Sequence, residues 1–406
     1  MKILVLNAGS SSQKSRLYEI DETLPATAPE PLWAADADWM QDKGSAQLEI
    51  TTGDGKKVQQ EVSADSRPAV VEQMLKTIWS GETKVLDGPE AIDMVGHRVV
   101  HGGPDYRESV LITQAVKDDI QKYASYAPLH NPVNLEGIEG VEHVLGDKVP
   151  QVAVFDTAFH KTLPMETAMY PGPYEWYGQG IRRYGFHGIS HQYCTQRIGQ
   201  ILQEDETQLR IVNCHMGNGC SLAAIRNGES LDTTMGFTPL EGVMMGTRSG
   251  TIDPGILIYL QREKGYNADQ FDQILNKESG LKGISGISND VRQLRKALGE
   301  GNARAKLALD MYAYRLRYFI GAMTAVLGGI DVLSFAGGVG EHDDVLRADV
   351  CHELAFLDIQ LDEAKNKQSP ADQQISTDDS AVRVLIVHTE EDWEIAKECW
   401  KVEKRG

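Results

Sequence analysis

Two short segments of this 406-residue chain collect small residues directly behind apolar runs. Asn7-Ala8-Gly9-Ser10-Ser11-Ser12 follows residues 3–6, and His215-Met216-Gly217-Asn218-Gly219-Cys220-Ser221 follows residues 211–214. Side chains this small let backbone N–H groups and hydroxyls approach a phosphate closely, though a tight turn after a strand explains a single such loop equally well. A third case, residues 332–335 leading into Ala336-Gly337-Gly338-Val339-Gly340-Glu341, favours a nucleotide-phosphate reading. Neither G-x-x-x-x-G-K-[ST] nor G-x-G-x-x-G occurs.

The charged and imidazole groups keep similar company. Arg98 lies in Gly96-His97-Arg98-Val99-Val100-His101-Gly102-Gly103, and Arg248 in Met244-Met245-Gly246-Thr247-Arg248-Ser249-Gly250. A planar fork of donors among glycines suits bidentate recognition of carboxylate or phosphate; a structural salt bridge is the alternative. His97 with His101, and His187 with His191, have the i, i+4 spacing of two metal ligands on a helix. Without H-E-x-x-H, and with glycine inside 187–191 and flanking 97–101, the expectation is a histidine bonded to an anion or packed in the core, not zinc. Asp156 closes the run 152–155, and Glu391, in Thr389-Glu390-Glu391-Asp392, follows the run 384–387. Strand-end carboxylates suit Mg²⁺, which takes one or two protein carboxylates and fills its shell with water and phosphate. Charge stabilisation of a helix N-terminus ahead of Trp393, Ala396 and Trp400 competes for the acidic trio.

These groups need rigid elements behind them. Residues 3–6 read as a buried strand and 13–20 as a second one. Leu48 and Ile50, the Asp54-Gly55 turn, then Val58 and Val62 read as a hairpin, so the N-terminal region is expected to be an antiparallel meander. Helical patterns cover 68–79, 113–123 and 303–327, the last stopped by Gly328-Gly329, and strands cover 152–155 and 222–225. The stretch 21–31 reads as a loop. Strand, small-residue turn and strand recur about 210 residues apart, which suggests an internal duplication: two α/β halves facing a cleft.

Composition sets limits. Forty Lys and Arg against 59 Asp and Glu leave a charge of −19, which disfavours a sequence-independent grip on nucleic acid or anionic membrane. A hydrophobic share of 41% disfavours disorder, and the length sets two or three domains. Five scattered cysteines without C-x-x-C read as reduced thiols in a cytoplasm. The apolar N-terminal run is too short for a signal peptide, and no stretch approaches the ~18 apolar residues of a membrane span.

Longer ordered strings carry more. The first loop with Lys14, GHRVVHGG at 96–103, APLHNP at 127–132, FDTAFH at 155–160, RRYGFHG at 182–188, DTTMGFTPLEG at 232–242, MMGTRSG at 244–250 and AGGVGE at 336–341 together resemble the acetokinase family of the actin and sugar-kinase superfamily, over nearly the whole chain. The resemblance implies an α/β fold of two duplicated actin-like, ribonuclease H-like domains, each a mixed sheet flanked by helices, around a central cleft. Residues 1–157 with 393–406 would form the domain of the first phosphate loop and the acetate side. Residues 158–392 would carry the second loop, the adenosine site and the dimer contact. The implied reaction is reversible transfer from ATP to acetate, giving acetyl phosphate and ADP by in-line attack of the carboxylate. It depends on Mg²⁺, with Mn²⁺ able to replace it, in a cytoplasmic homodimer.

Carried over by position, Asn7, Ser10, Ser12 and Lys14 match the first phosphate loop, and His215, Gly217, Asn218 and Gly219 the second. Asp156 and Glu391, with Asn7 close by, match the residues associated with Mg²⁺. Arg98 and Arg248 match the arginines that hold the carboxylate and the transferring phosphoryl group, and His187 the histidine bonded to that group. Val100, Leu129, Phe186 and Pro239 match the pocket for the acetate methyl. Asp290, Val291, Arg292, Gly338, Val339, Gly340 and His342 match the adenosine side. Thr251, His342, Glu390 and Cys220 depart from the family's usual residues. A propionate or butyrate kinase, or an actin-like ATP-binding protein without acyl acceptor, are the competing readings. Phosphoryl transfer needs in-line positioning and charge compensation, and an ionised carboxylate needs no general base.

Overall fold

The computed structural model describes residues 1–9, 12–40, 44–64, 66–128 and 130–405. Ser10 and Leu129 therefore lie outside the described residues. The chain divides into two compact units, Met1–Ala158 with Glu390–Gly406, and Phe159–Thr389.

The first unit holds β1 (Lys2–Ala8), β2 (Ser12–Glu19), β3 (Trp33–Met40), β4 (Ser45–Thr52), β5 (Lys57–Ser63), β6 (Met94–Val99), β7 (Val110–Leu111) and β8 (Gln151–Phe155). They form one sheet in the order β5-β4-β3-β2-β1-β6-β8-β7. Strands β1 to β5 are the antiparallel meander that the sequence led us to expect, whereas β1, β6 and β8 run parallel. Strand β3 was not foreseen. Its sequence, WAADADWM, is rich in Ala and Asp, which are depleted in strands, yet Ala35 and Ala37 face the core.

The second unit holds β9 (Arg210–Met216), β10 (Cys220–Arg226), β11 (Glu229–Thr233), β12 (Val332–Ala336), β13 (Gln373–Gln374) and β14 (Arg383–Val387), in the order β11-β10-β9-β12-β14-β13. Here β11, β10 and β9 are antiparallel neighbours, β9, β12 and β14 run parallel, and β13 lies antiparallel to β14. The series β3-β2-β1-β6-β8 thus matches β11-β10-β9-β12-β14 strand for strand. Both phosphate-loop candidates occupy the same hairpin of this plan, β1–β2 and β9–β10.

Helices cover both faces of each sheet. In the first unit Leu4, Leu6, Leu17 and Trp33 pack with Val70, Met74 and Leu75 of the helix Arg67–Lys76 and with Val141 of the helix Asn131–Leu145. On the other face lies the helix Glu391–Arg405. It sits against β6 because Gly96 has no side chain: a Cβ there would be 2.5 Å from Cys399 Sγ and 2.7 Å from Ile395 Cγ2. In the second unit the helix Gly188–Leu202 brings His191 to Asn213 and Ser221. The helix Ala303–Leu327, capped by Asn302 and ended by Gly328 at φ +69°, puts Tyr312 beside Cys220. Among the described residues no helix is long and apolar enough to cross a membrane.

Candidate active site

In the first unit the chemistry gathers at the C-terminal ends of the parallel strands. Arg98, on β6, donates from Nε (3.1 Å) and Nη2 (2.5 Å) to Oδ2 of Asp156, which follows β8 and is buried. Asn7, near the end of β1, donates from Nδ2 to Asp392 Oδ1 (2.9 Å) and Glu391 Oε2 (3.3 Å). Burial weighs against the Arg98 charge, but Asp156, Glu391 and Asp392 outweigh it and hold the guanidinium above its ordinary pKa. Burial likewise pushes the Asp392 carboxyl up, against the pull of Arg16, Asn7 and Lys14. Asn7, Arg98, Asp156 and Glu391 thus form one electrostatic cluster, and Asp392 joins it. The sequence reading left Asp392 within an acidic trio; its contact with Asn7 spans 385 positions and had no local signal.

Lys14 stands opposite Asn7 in the β1–β2 register and is exposed, while the Ser12 carbonyl accepts from Gly9 N–H at 2.8 Å to close the turn. Val100 is buried just past β6, and its N–H donates to Asn134 Oδ1, as His101 N–H does to Asn131 Oδ1. The two asparagines fix the backbone behind the Arg98 strand. His97 is tied to Gln151 at 2.6 Å, and burial lowers its pKa to about 4, so it is a core histidine.

Among the described residues no group of three or more His, Cys, Asp or Glu is disposed to hold a metal. Asn7, Asp156 and Glu391 nonetheless offer only oxygen donors of the kind a hard cation takes, and a Mg²⁺ ion requires no more than one or two protein carboxylates. Their chemistry fits Mg²⁺ and not zinc. The i, i+4 pair in the second unit also excludes zinc, because both ring nitrogens of His191 are occupied, Nδ1 by Asn213 and Nε2 by Ser221, each at 2.8 Å.

In the second unit His187 precedes the helix Gly188–Leu202 with φ +54°, and its Nδ1 lies 2.9 Å from Ser221 Oγ. Its ring lies 4.3 Å from that of His215, whose Nδ1 meets Ser190 Oγ at 2.7 Å. Gly219 closes on His187 and Arg248: a Cβ there would be 3.2 Å from His187 Cε1, 3.3 Å from His187 Nε2 and 3.7 Å from Arg248 Nη1. Arg248 Nη1 is aimed by the Pro239 carbonyl at 3.1 Å. The loop carrying Pro239 is shaped in turn by Arg183, which donates to the carbonyls of Thr233, Thr234 and Met235 and to Glu241. Phe186 is buried, and its carbonyl accepts from His160 Nε2.

The remaining predicted residues divide. Gly217 N–H bonds Gly219 O across the β9–β10 turn, and Asn218 Oδ1 accepts from Asn289 Nδ2 at 2.9 Å, which ties the second loop to the segment of Asp290, Val291 and Arg292. Asp290 caps the helix Val291–Gly299 and pairs with the exposed Arg292, whose hydrogen bonds lower the Asp290 pKa. Gly338, Val339 and Gly340 follow β12, and Gly337, at φ +76°, abuts the Met216 carbonyl. His342 Nδ1 meets the Gly338 carbonyl at 3.0 Å, tying its own turn. Thr251 Oγ1 accepts from Gly242 N–H, and Cys220 is buried against Tyr312 with its thiol pushed up to about 12. Neither of these two departures carries a group into the loops.

The family model described as the acetokinase family matches residues 2–397. A protein named acetate kinase from Cyanothece sp. (strain PCC 7425) is 58% identical over 99% of this chain and 98% of its own. The crystal structure of Porphyromonas gingivalis acetate kinase superposes with a TM-score of 0.89 at 40% identity, covering 99% of both chains. A propionate kinase from Francisella tularensis gives 0.89 at 35% identity, again over 99% of each.

Proposed function

The chain belongs to the acetokinase family, and from that premise we infer its function: acetate kinase activity, the reversible transfer of the γ-phosphoryl group of ATP to acetate. The observation that carries the reading is the approach of Gly219 to His187 and Arg248. A glycine turn flanked by a guanidinium and an imidazole is a seat for a multiply charged oxyanion, which phosphoryl transfer requires.

Roles follow unit by unit. Lys14, Ser10 and Ser12 are assigned to phosphate in the first unit. Arg98 holds the acetate carboxylate there, kept charged and oriented by Asp156. Val100, Leu129, Phe186 and Pro239 are assigned to the methyl group. His215, Gly217, Asn218 and Gly219 hold phosphate in the second unit, and Arg248 and His187 receive the charge that spreads over the equatorial oxygens during transfer. Asp290, Val291, Arg292, Gly338, Val339, Gly340 and His342 are assigned to adenosine. The acetate oxygen attacks phosphorus directly, since it is already ionised and no residue need remove a proton. Asn7, Asp156 and Glu391 would hold Mg²⁺, which when bound neutralises phosphate charge, and Mn²⁺ would serve the same oxygen donors.

The exposed stripe Leu307, Tyr314 and Tyr318 on the helix Ala303–Leu327, and exposed Ile256 and Tyr259 on the helix Gly255–Lys264, support a homodimer through the second unit. A cytoplasmic setting is supported by five buried free thiols. Trapping acetyl phosphate as the hydroxamate from acetate, ATP and Mg²⁺ tests the activity. The likeness to a propionate kinase keeps one alternative: an apolar pocket separates one methylene by only ~1 to 3 kcal/mol, and equal or better kcat/KM for propionate would overturn acetate as the preferred acceptor.

A further inference from the structure

An unbroken run of hydrogen bonds leads from the sheet of the second unit to His187. Ser334 Oγ donates to Asn213 Oδ1 at 2.7 Å, its neighbour across the β12–β9 pairing. Asn213 Nδ2 meets His191 Nδ1 at 2.8 Å, His191 Nε2 meets Ser221 Oγ at 2.8 Å, and Ser221 Oγ meets His187 Nδ1 at 2.9 Å. Ser334, Asn213, His191 and Ser221 have no solvent exposure at all.

Proton counting gives this run a direction. The Asn213 amide nitrogen has only hydrogens to offer, so His191 Nδ1 accepts. A neutral imidazole then carries its one proton on Nε2 and donates it to Ser221. His191 stays neutral because burial, reinforced by His160 and His215, holds its pKa well below the ordinary value. Ser221 Oγ accepts that hydrogen and has one of its own to give, and we assign it to His187 Nδ1, 2.9 Å away. The proton of neutral His187 is therefore left on Nε2, the nitrogen 3.3 Å from where a Cβ of Gly219 would stand. The backbone of His187, at φ +54° and ψ +27°, is in a region costly for a side chain of this kind, so the ring's place is set by its surroundings.

We propose that Asn213, acting through His191 and Ser221, is a positioning residue for phosphoryl transfer: it fixes His187 in its Nε2–H tautomer, so that a donor and not a lone pair faces the transferring group. This rests on the assignment of His187 made above. A donor aimed at developing negative charge is typically worth about 10²- to 10³-fold in kcat, and the wrong tautomer forfeits it.

The test begins with the unaltered enzyme. Two-bond ¹H–¹⁵N correlation on ¹⁵N-histidine-labelled protein at pH 7.5 (about one unit above the ordinary histidine pKa), with the His187 signals identified by their loss in His187→Gln, is expected to show protonated Nε2 and acceptor Nδ1. Protonated Nδ1 at His187 overturns the proposal outright. Asn213→Asp keeps the shape and the Ser334 bond but offers His191 Nδ1 a carboxylate, which reverses the bonds from there to His187. It should move the His187 proton to Nδ1 and lower kcat about 10²-fold or more, with KM for acetate and ATP changed about threefold or less. Folded Asn213→Asp that keeps Nε2–H and near-normal kcat overturns it too. If that variant does not fold, the unaltered enzyme's spectrum decides alone. The spectrum reads the relay whatever the substrate, whereas hydroxamate formation reads the activity, so the two failures are distinct.

Discussion

Asp156 accepts two hydrogen bonds from Arg98 through a single carboxylate oxygen, Oδ2. The arginine is thereby pre-oriented across two neighbouring parallel strands, β6 and β8, before any ligand arrives. Lysine retains the charge but cannot span that oxygen with a planar fork. Arg98→Lys should therefore lower kcat by about 10²-fold or more and Arg98→Ala by about 10³-fold, with unchanged circular dichroism. Steady-state hydroxamate assays check this, and near-normal turnover in Arg98→Ala would remove the residue from charge compensation.

Arg248 Nη1 donates to the Pro239 carbonyl and lies 3.8 Å from Met245 Sδ, both within nine positions of it. Losing the guanidinium should therefore cost the oxyanion seat more than the fold. Arg248→Ala should lower kcat by about 10³-fold with a Tm within about 2 °C of the parent. A matching fall in Tm would show that the arginine is structural.

Gly219 has a measurable tolerance. A methyl group would press on His187 at 3.2 Å, so Gly219→Ala should displace the imidazole by a few tenths of an ångström and cost about tenfold in kcat. Gly321, where a Cβ meets nothing within 4 Å, is the control: Gly321→Ala should leave kcat unchanged. Equal kinetics for the two variants would contradict the close-approach role.

Acid should loosen the protein through two buried histidines. His97 and His160 are both lowered by burial to about 4, so the folded chain keeps them neutral where the unfolded chain protonates them near 6.5. Their contribution is intact above pH 6.5 and is lost as the pH falls toward 4, at roughly 2 kcal/mol each by pH 5. Denaturant midpoints at pH 7 and pH 5 measure the loss, and His97→Gln should flatten it. No difference between the two pH values would contradict the assignment of either histidine as a neutral core residue.

Glu391 and Asp392 are adjacent but should separate functionally. Glu391→Gln should raise the Mg²⁺ concentration needed for half-maximal rate, with little change in Tm. Asp392→Ala strips an acceptor from buried Asn7 and a charge partner from Arg16, and should cost about 3 kcal/mol of stability. Metal titrations and thermal melts on both variants check the division; reversed behaviour would exchange the two roles.

Local chemistry made much of this legible in advance. The two small-residue turns, the meander, the helix ending at Gly328 and the strand before Asp156 all follow from apolar period and turn residues, which act over a few positions. The duplication was visible as repeated grammar, and the matched strand orders give it content. What escaped was whatever depends on distant partners. Strand β3 lacks β-branched residues and forms because β2 and β4 flank it. Asn213 lies in no motif, Ser221 and Asp392 only close the strings 215–221 and 389–392, and each matters here through a bond to a residue far along the chain or across a sheet.

The helix Glu391–Arg405 belongs to the unit that begins at Met1, so its contact with Asn7 joins residues 384 and 385 positions apart. At about 5 to 20 residues per second, a ribosome delivers Glu391 roughly 20 to 80 seconds after Asn7. Over that interval the strands of the intervening unit emerge one after another, β14 last, while Gly96 of the first sheet is still without the helix that covers it. The hydrogen bonds from Asn7 to Glu391 and Asp392 therefore form only after the whole intervening unit has been made.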